Sequence, residues 1–334
     1  MQVQEDQVRK NSINNGLFYL IHISGLRVVG VERFQFGESS KSDKHIAPDI
    51  ARRVKALKNI QLENVKHEIE YHQKIHKLDL EYKKIYDENN ERRKKIYLGE
   101  YEPTDSECWW LDPNEDGGME TLDLEDMKIE DKIQLQNRGI PDFWLTVFKN
   151  ANVTVLNRTV EMIDEPILRS LQDITVTLPE QNTGFSLHFH FAPNEFFTNS
   201  VLTKEYDLRN DFDRRDPLDY DGPEMLRARG CDIDWKPEMN PGVKITMKKQ
   251  KLKGNQTGKG GTKTILKEER RDTFFSFFQP PPISMDTQRF DDDDELVAQL
   301  DTDFDIGLGI KDKLIPKAVL YYTGEARDPD SDED

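Results

Sequence analysis

Side chains able to do chemistry are few in this sequence, and most of them carry the same charge. His188 and His190 stand two apart, so on a strand they share one face, yet no third ligand follows at metal-binding spacing. They read as two solvent-facing residues of an amphipathic strand. Asp291, Asp292, Asp293 and Asp294 form a carboxylate run, but without the glycine turn and bidentate glutamate of a calcium loop. No serine elbow, phosphate-cradling glycine loop or reactive-cysteine context occurs. The only two cysteines, Cys108 and Cys231, support neither a disulfide framework nor a four-thiolate zinc site. The sequence therefore calls for no metal and no cofactor, and it argues against an enzyme. What is left is acid. Glu161, Asp164 and Glu165 stand at i, i+3 and i+4 and would share one helix face. There they repel by roughly a few tenths of a kcal/mol per pair, a cost that a cationic ligand offsets. Glu295 extends the aspartate run, and Asp301, Asp303 and Asp305 follow it. Asp328, Asp330, Asp332, Glu333 and Asp334 read as the start of a disordered acidic tail.

The charge of the whole chain has the same sense. Its 334 residues hold 64 acids against 47 bases, a net charge of −17. Residues 98–243 carry 31 acids and 13 bases, residues 286–334 carry 16 and 5, and residues 244–271 reverse the sign with 10 bases and 2 acids. An acidic body of this kind repels DNA phosphates and attracts basic proteins. Direct DNA binding is not expected. The carboxylates alone leave two readings, an acidic binding scaffold and an acid-rich hydrolase. Hydrophobic residues make up only 35%, but 17 Phe and 4 Trp need a core, which argues against full disorder. No apolar run approaches the roughly 20 residues that cross a bilayer. Leu17–Ile23 is short and contains His22, and Met1–Gln7 carries Glu5 and Asp6 in place of a basic leader. The expectation is a soluble protein of a reducing compartment, in which the sequons at Asn152, Asn157 and Asn255 mean nothing.

The elements that position these acids follow from periodicity. Residues 1–45 mix Gly, Ser, Asn and short apolar pieces and read as a mobile leader. Pro48 and Asp49 suit a helix start, and apolar residues then recur at steps mostly of three and four from Ile50 to Ile85 without Gly or Pro before Gly99. About fifty residues at 1.5 Å each give a rod of roughly 75 Å. Such a rod needs a partner, so residues 46–100 are assigned as a homodimerisation helix with Val54, Leu57, Leu62, Val65, Ile69 and Leu78 in the seam. An acidic connector, residues 101–131, leads to the body, residues 132–326. In the body Asp164–Leu171 predicts a short helix opened by Pro166. Asp173–Leu178, Phe185–Phe191, Cys231–Trp235 and Val243–Met247 predict strands, and Thr262–Leu266 closes a basic hairpin at about 243–268. Glu295–Leu300 and Phe304–Leu314 predict two last helices, and residues 327–334 begin the tail. The fold class is α+β: a long dimerisation helix, then an antiparallel sheet packed with helices.

Particular strings carry a resemblance. Arg52-Arg-Val-Lys-Ala-Leu-Lys-Asn59, Tyr101-Glu-Pro-Thr104, Gly139-Ile-Pro-Asp-Phe-Trp-Leu-Thr-Val-Phe-Lys-Asn150 and Phe196-Phe-Thr-Asn199 with Leu202-Thr-Lys204 come first. Phe274-Phe-Ser-Phe-Phe-Gln-Pro-Pro281, Ile315-Pro-Lys-Ala-Val319 and Tyr322-Thr-Gly-Glu-Ala326 follow in the same order. Over roughly residues 46–326 the chain resembles the nucleosome assembly protein family. The resemblance implies a homodimeric histone chaperone, with an acidic concave surface for core histones and movement between cytoplasm and nucleus. It makes histone contacts of Glu161, Asp164, Glu165, Asp291 to Glu295, Asp301, Asp303 and Asp305. The alternative is an acidic regulator of the same fold that binds signalling enzymes such as phosphatases.

The basic island has a place in that resemblance. Lys248, Lys249, Lys251 and Lys253 match the family's nuclear-localisation position, where an import receptor would read them; a solvated hairpin is the other reading. Val54, Leu57, Ile60 and Leu62 have the spacing of a leucine-rich export signal, but the helix seam claims the same residues. Thr104–Glu107 and Ser331–Asp334 suit acid-directed kinases.

Overall fold

Pro48 opens the first helix at a position whose missing N–H costs nothing, with Asp49 at the positive end of the dipole and Lys94 and Lys95 at the negative end. In the computed structural model this helix, α1, runs unbroken over Pro48–Tyr97, 50 residues. The structure describes residues 47–109, 139–151, 160–181, 183–214, 216–251, 262–281 and 294–326. The leader, most of the connector, the three sequons and the tail lie outside them.

Two glycines set how the chain leaves α1. Gly99 takes φ 70°, which ends the helix. Gly139 takes φ 90°, and a Cβ there would meet the Tyr97 carbonyl oxygen at 2.4 Å. Only glycine allows the approach in which the Ile140 N–H donates to that oxygen at 2.7 Å. The returning segment forms α2 (Phe143–Asn150), which buries Phe143, Trp144, Leu145, Val147 and Phe148. A single turn, α3 (Glu165–Leu168), follows, with Pro166 in its first turn as the sequence predicts.

Four strands, β1 (Leu171–Thr177), β2 (Gly184–Phe191), β3 (Val201–Arg209) and β4 (Glu224–Arg229), pair antiparallel in chain order. The alternation in β2 is strict: Phe185, Leu187, Phe189 and Phe191 face inward, while Ser186, His188 and His190 face the other side. Strands β3 and β4 were not expected from the sequence, because the inward row of β3 includes the charged Lys204 and β4 carries Arg227 and Arg229. Cys231–Trp235 is not a strand; its one sheet-like contact is a bridge between Phe197 and Trp235. β5 (Val243–Lys251) and β6 (Thr262–Arg270) make a separate two-stranded hairpin.

The inward face of the sheet is covered by rings. Phe274, Phe275, Phe277 and Phe278 form one 3₁₀ turn, capped by Thr273, whose hydroxyl accepts from the Phe275 N–H. These rings meet Phe189, Phe191, Phe197 and Trp235 at centroid distances of 5.1 to 6.4 Å, most of them edge-to-face. The C-terminal segment does not split where the sequence suggests. One helix, α4, spans Asp294–Leu308, a π-helical turn follows over Gly309–Leu314, and α5 occupies Ala318–Thr323. Gly307 lets α4 close on the sheet, since a Cβ there would stand 2.4 Å from the Tyr206 ring.

Candidate functional site

The predicted acidic residues separate into two kinds once their surroundings are known. Asp164 is completely buried. Its carboxylate accepts from the Thr273 hydroxyl, from the Phe274 N–H at 2.8 Å and from the Glu161 N–H at 2.9 Å. It ties α3 to the phenylalanine turn and touches no solvent, so its assignment as a histone contact is corrected. Residues 161–164 are a turn, not a helix, and the three acids therefore do not share a face. Glu161 is exposed, and Glu165 is half-buried in an ion pair with Lys149 at 3.1 Å.

Asp303 needs the same correction. It is buried, and its carboxylate meets the fully buried ammonium of Lys204 at 2.6 Å. The Lys204 ammonium also donates to the Phe277 carbonyl at 2.6 Å and lies 4.5 Å from the centre of the Phe277 ring. The Tyr206 hydroxyl donates to the Asp303 backbone carbonyl at 2.7 Å and to its carboxylate at 3.1 Å. This cluster explains a charged residue in the inward row of β3. It locks α4 onto the sheet. Asp301 is half-buried; both its carboxylate oxygens are shut off from solvent and have no hydrogen-bond partner among the described residues. Desolvation, with repulsion from Asp305, pushes its carboxyl up to about 6. Asp305 and Glu295 are exposed on α4. Asp291, Asp292 and Asp293 lie outside the described residues, as does the side chain of Asp294.

Helix α1 shows two faces where the sequence suggests one seam. Val65 is 2% exposed and Ile69 half-buried, and Asn210 donates to the Ile69 carbonyl at 3.3 Å. His72 meets the Tyr220 ring edge-on, and the His76 Nε2 donates to the Pro179 carbonyl at 2.8 Å. Further along, Lys94 and the Tyr97 hydroxyl both reach Asp173 at the start of β1, at 3.4 and 2.9 Å. Val65 and Ile69 thus belong to the face turned toward the chain's own body and leave the predicted seam. Leu57 is 65% exposed, and Ile60, Tyr71, Leu78, Tyr82 and Ile85 are exposed with it. From Tyr71 the steps are seven, four and three, which keeps Leu78, Tyr82 and Ile85 on one side. Val54 and Leu62 are intermediate. Tyr71, Tyr82 and Ile85 are absent from the predicted seam residues, although Tyr82 and Ile85 lie on the three-and-four periodicity.

His188 and His190 are half-buried instead of solvent-facing. Their Nε2 atoms lie 3.0 and 2.9 Å from the Thr177 and Thr175 hydroxyls of β1. Desolvation lowers both pKa values; nearby Lys83 and Lys94 on α1 lower them further, against Glu205 beside His188 and Asp173 beside His190. Among the described residues no group of three or more His, Cys, Asp or Glu could hold a metal ion, and no helix is long and apolar enough to cross a membrane. Lys248, Lys249 and Lys251 stand on β5, while Lys253 lies outside the described residues.

A long helix, an antiparallel meander capped by phenylalanines and a terminal helix with exposed acids define an α+β protein of the nucleosome-assembly type. The family model for nucleosome assembly proteins matches residues 52–325, and the chain belongs to that family. It is 42% identical over 291 residues to nucleosome assembly protein 1-like 1 of Xenopus tropicalis, covering 85% of this chain and 71% of the relative. It is 39% identical over 289 residues to human nucleosome assembly protein 1-like 4, with 84% and 75% covered. Among solved structures, nucleosome assembly protein 1 from Plasmodium knowlesi matches with a TM-score of 0.50 and 24% identity, over 84% of this chain and 99% of that one.

Proposed function

We propose that this protein is a histone chaperone that acts as a homodimer without catalysis. Its acidic surface covers the DNA-binding face of core histones, blocks non-productive contacts with DNA and releases the histones when DNA competes better for the same basic surface. Family membership over residues 52–325 carries this reading, since the curated relatives are named for nucleosome assembly. The body's excess of acids supports it by the same logic that disfavours direct DNA binding. The exposed residues Leu57, Ile60, Tyr71, Leu78, Tyr82 and Ile85 support the dimer, because exposed apolar side chains gathered on one side of a helix mark an interaction face. The hairpin lysines Lys248, Lys249, Lys251 and Lys253 serve nuclear entry through an import receptor, and the protein moves between cytoplasm and nucleus. The test is a pull-down from nuclear extract followed by nucleosome assembly with purified histones. Core histones should dominate the capture and assembly should rise. Capture dominated by a phosphatase, with no effect on assembly, overturns the reading.

A further inference from the structure

An open groove of about 330 Å³ lies between the phenylalanine turn and α4. Phe277, Pro281 and Ile306 give it apolar walls, Thr302 stands on its α4 side, and Glu161 and Asp272 bring two exposed carboxylates to it. Among the described residues no lysine, arginine or histidine lines it, and neither Glu161 nor Asp272 is in an ion pair. Asp303 also lines the groove, but Lys204 neutralises it from the core side.

A third negative charge is buried underneath. Asp164 is held only by neutral donors, and two of them, the Thr273 hydroxyl and the Phe274 N–H, belong to groove-lining residues. Among the described residues no cation pairs with it. Coulomb interactions weaken least where protein replaces water, so the charge of Asp164 favours a cation in the groove above it. Walls and charge ask for one kind of occupant: a long aliphatic stem with a cationic head. Lysine and arginine side chains bury their stems on apolar surface while the head keeps polar company.

We propose that this groove seats a lysine or arginine side chain of a core histone, giving the acidic body one fixed anchor in addition to its field. The proposal rests on the chaperone reading above. Asp164, which touches no partner, acts through the groove floor.

The test uses the full chain and a labelled, refolded core-histone dimer. The double variant Glu161→Gln/Asp272→Asn removes the two surface charges; Thr302→Arg plugs the groove with the chain's own cation. Circular dichroism checks that both fold. Each should weaken binding about tenfold or more at roughly 0.15 M salt, as loss of one charge-assisted hydrogen bond implies. A photo-cross-linking residue at Gln299, on the groove wall, should capture histone in the unmutated background. If the parent binds histones but both variants bind equally well and Gln299 captures nothing, the groove assignment is wrong and the chaperone reading stands. If the parent binds no histone, the chaperone reading fails and the anchor fails with it.

Discussion

Asp164, Asp301 and Asp303 have the same side chain and do three different things. Asp164 has all its donors supplied by neighbours, so Asp164→Ala orphans the Thr273 hydroxyl and the Phe274 N–H and should cost at least about 2 kcal/mol in urea unfolding. A variant with undiminished stability would show that the carboxylate is not a structural tie. Asp303 is half of a buried pair. Lys204→Met leaves its carboxylate in the core with the Tyr206 hydroxyl alone, which should cost about 3–5 kcal/mol, whereas replacing both partners by apolar residues should recover much of that loss. Asp301 works against the fold at neutral pH. Its folded pKa, about 6, lies above its ordinary value of 3.8, so the folded state prefers the protonated form. The stability it contributes is fully present below about pH 4 and is lost as pH rises through 6. Asp301→Asn should therefore stabilise the protein at pH 7.5 and leave it unchanged near pH 4. The gain should be on the order of 1 kcal/mol, well below the full value of the shift, because the residue as a whole is only half-buried and nearby solvent screens its charge. Paired thermal melts at the two pH values check it, and an equal gain at both would overturn the titration argument.

At the scale of the element, α1 has two apolar faces with two duties. The face with Val65 and Ile69 holds the helix to its own body; the face with Leu78 and Ile85 is free to meet a second copy. Substitutions should tell them apart. Leu78→Asp with Ile85→Asp should convert a particle of twice 39.0 kDa into a monomer with unchanged helix content. Val65→Asp instead places a charge in a buried position and should destabilise each protomer by several kcal/mol. Light scattering and circular dichroism at sub-micromolar concentration read both quantities. A monomeric parent would remove the dimer from the proposal. The same helix reaches both ends of β1, Asp173 through Tyr97 and Pro179 through His76.

Across the whole molecule the excess of each sign is kept apart: residues 98–243 and 286–334 hold the surplus of acids, and residues 244–271 a surplus of bases. Changing Lys248, Lys249, Lys251 and Lys253 to Ala should reduce nuclear entry and leave histone affinity nearly unchanged, since that island has the wrong sign for a histone site. Live-cell imaging with a parallel titration measures both. Lost histone affinity with normal import would reverse the assignment.

The sequence by itself settled the α+β class, the 50-residue helix, strands β1 and β2, the β5–β6 hairpin and the segregation of charge, although the alternating Cys231–Trp235 proved not to be a strand. These properties follow from local spacing and composition, which the chain carries in one dimension. It did not settle which carboxylates face solvent. Asp164 meets Thr273 from 109 residues away and Asp303 meets Lys204 from 99, and nothing near either aspartate foretells the donor. The same limit hid β3, where Lys204 disguises an inward position, and merged the two faces of α1, since three-and-four spacing marks apolar positions without saying what each will touch. Burial is a property of partners. Only the tertiary structure supplies them, and it turned two presumed ligand contacts into core ties while leaving Glu161, beside Asp272, open to a partner.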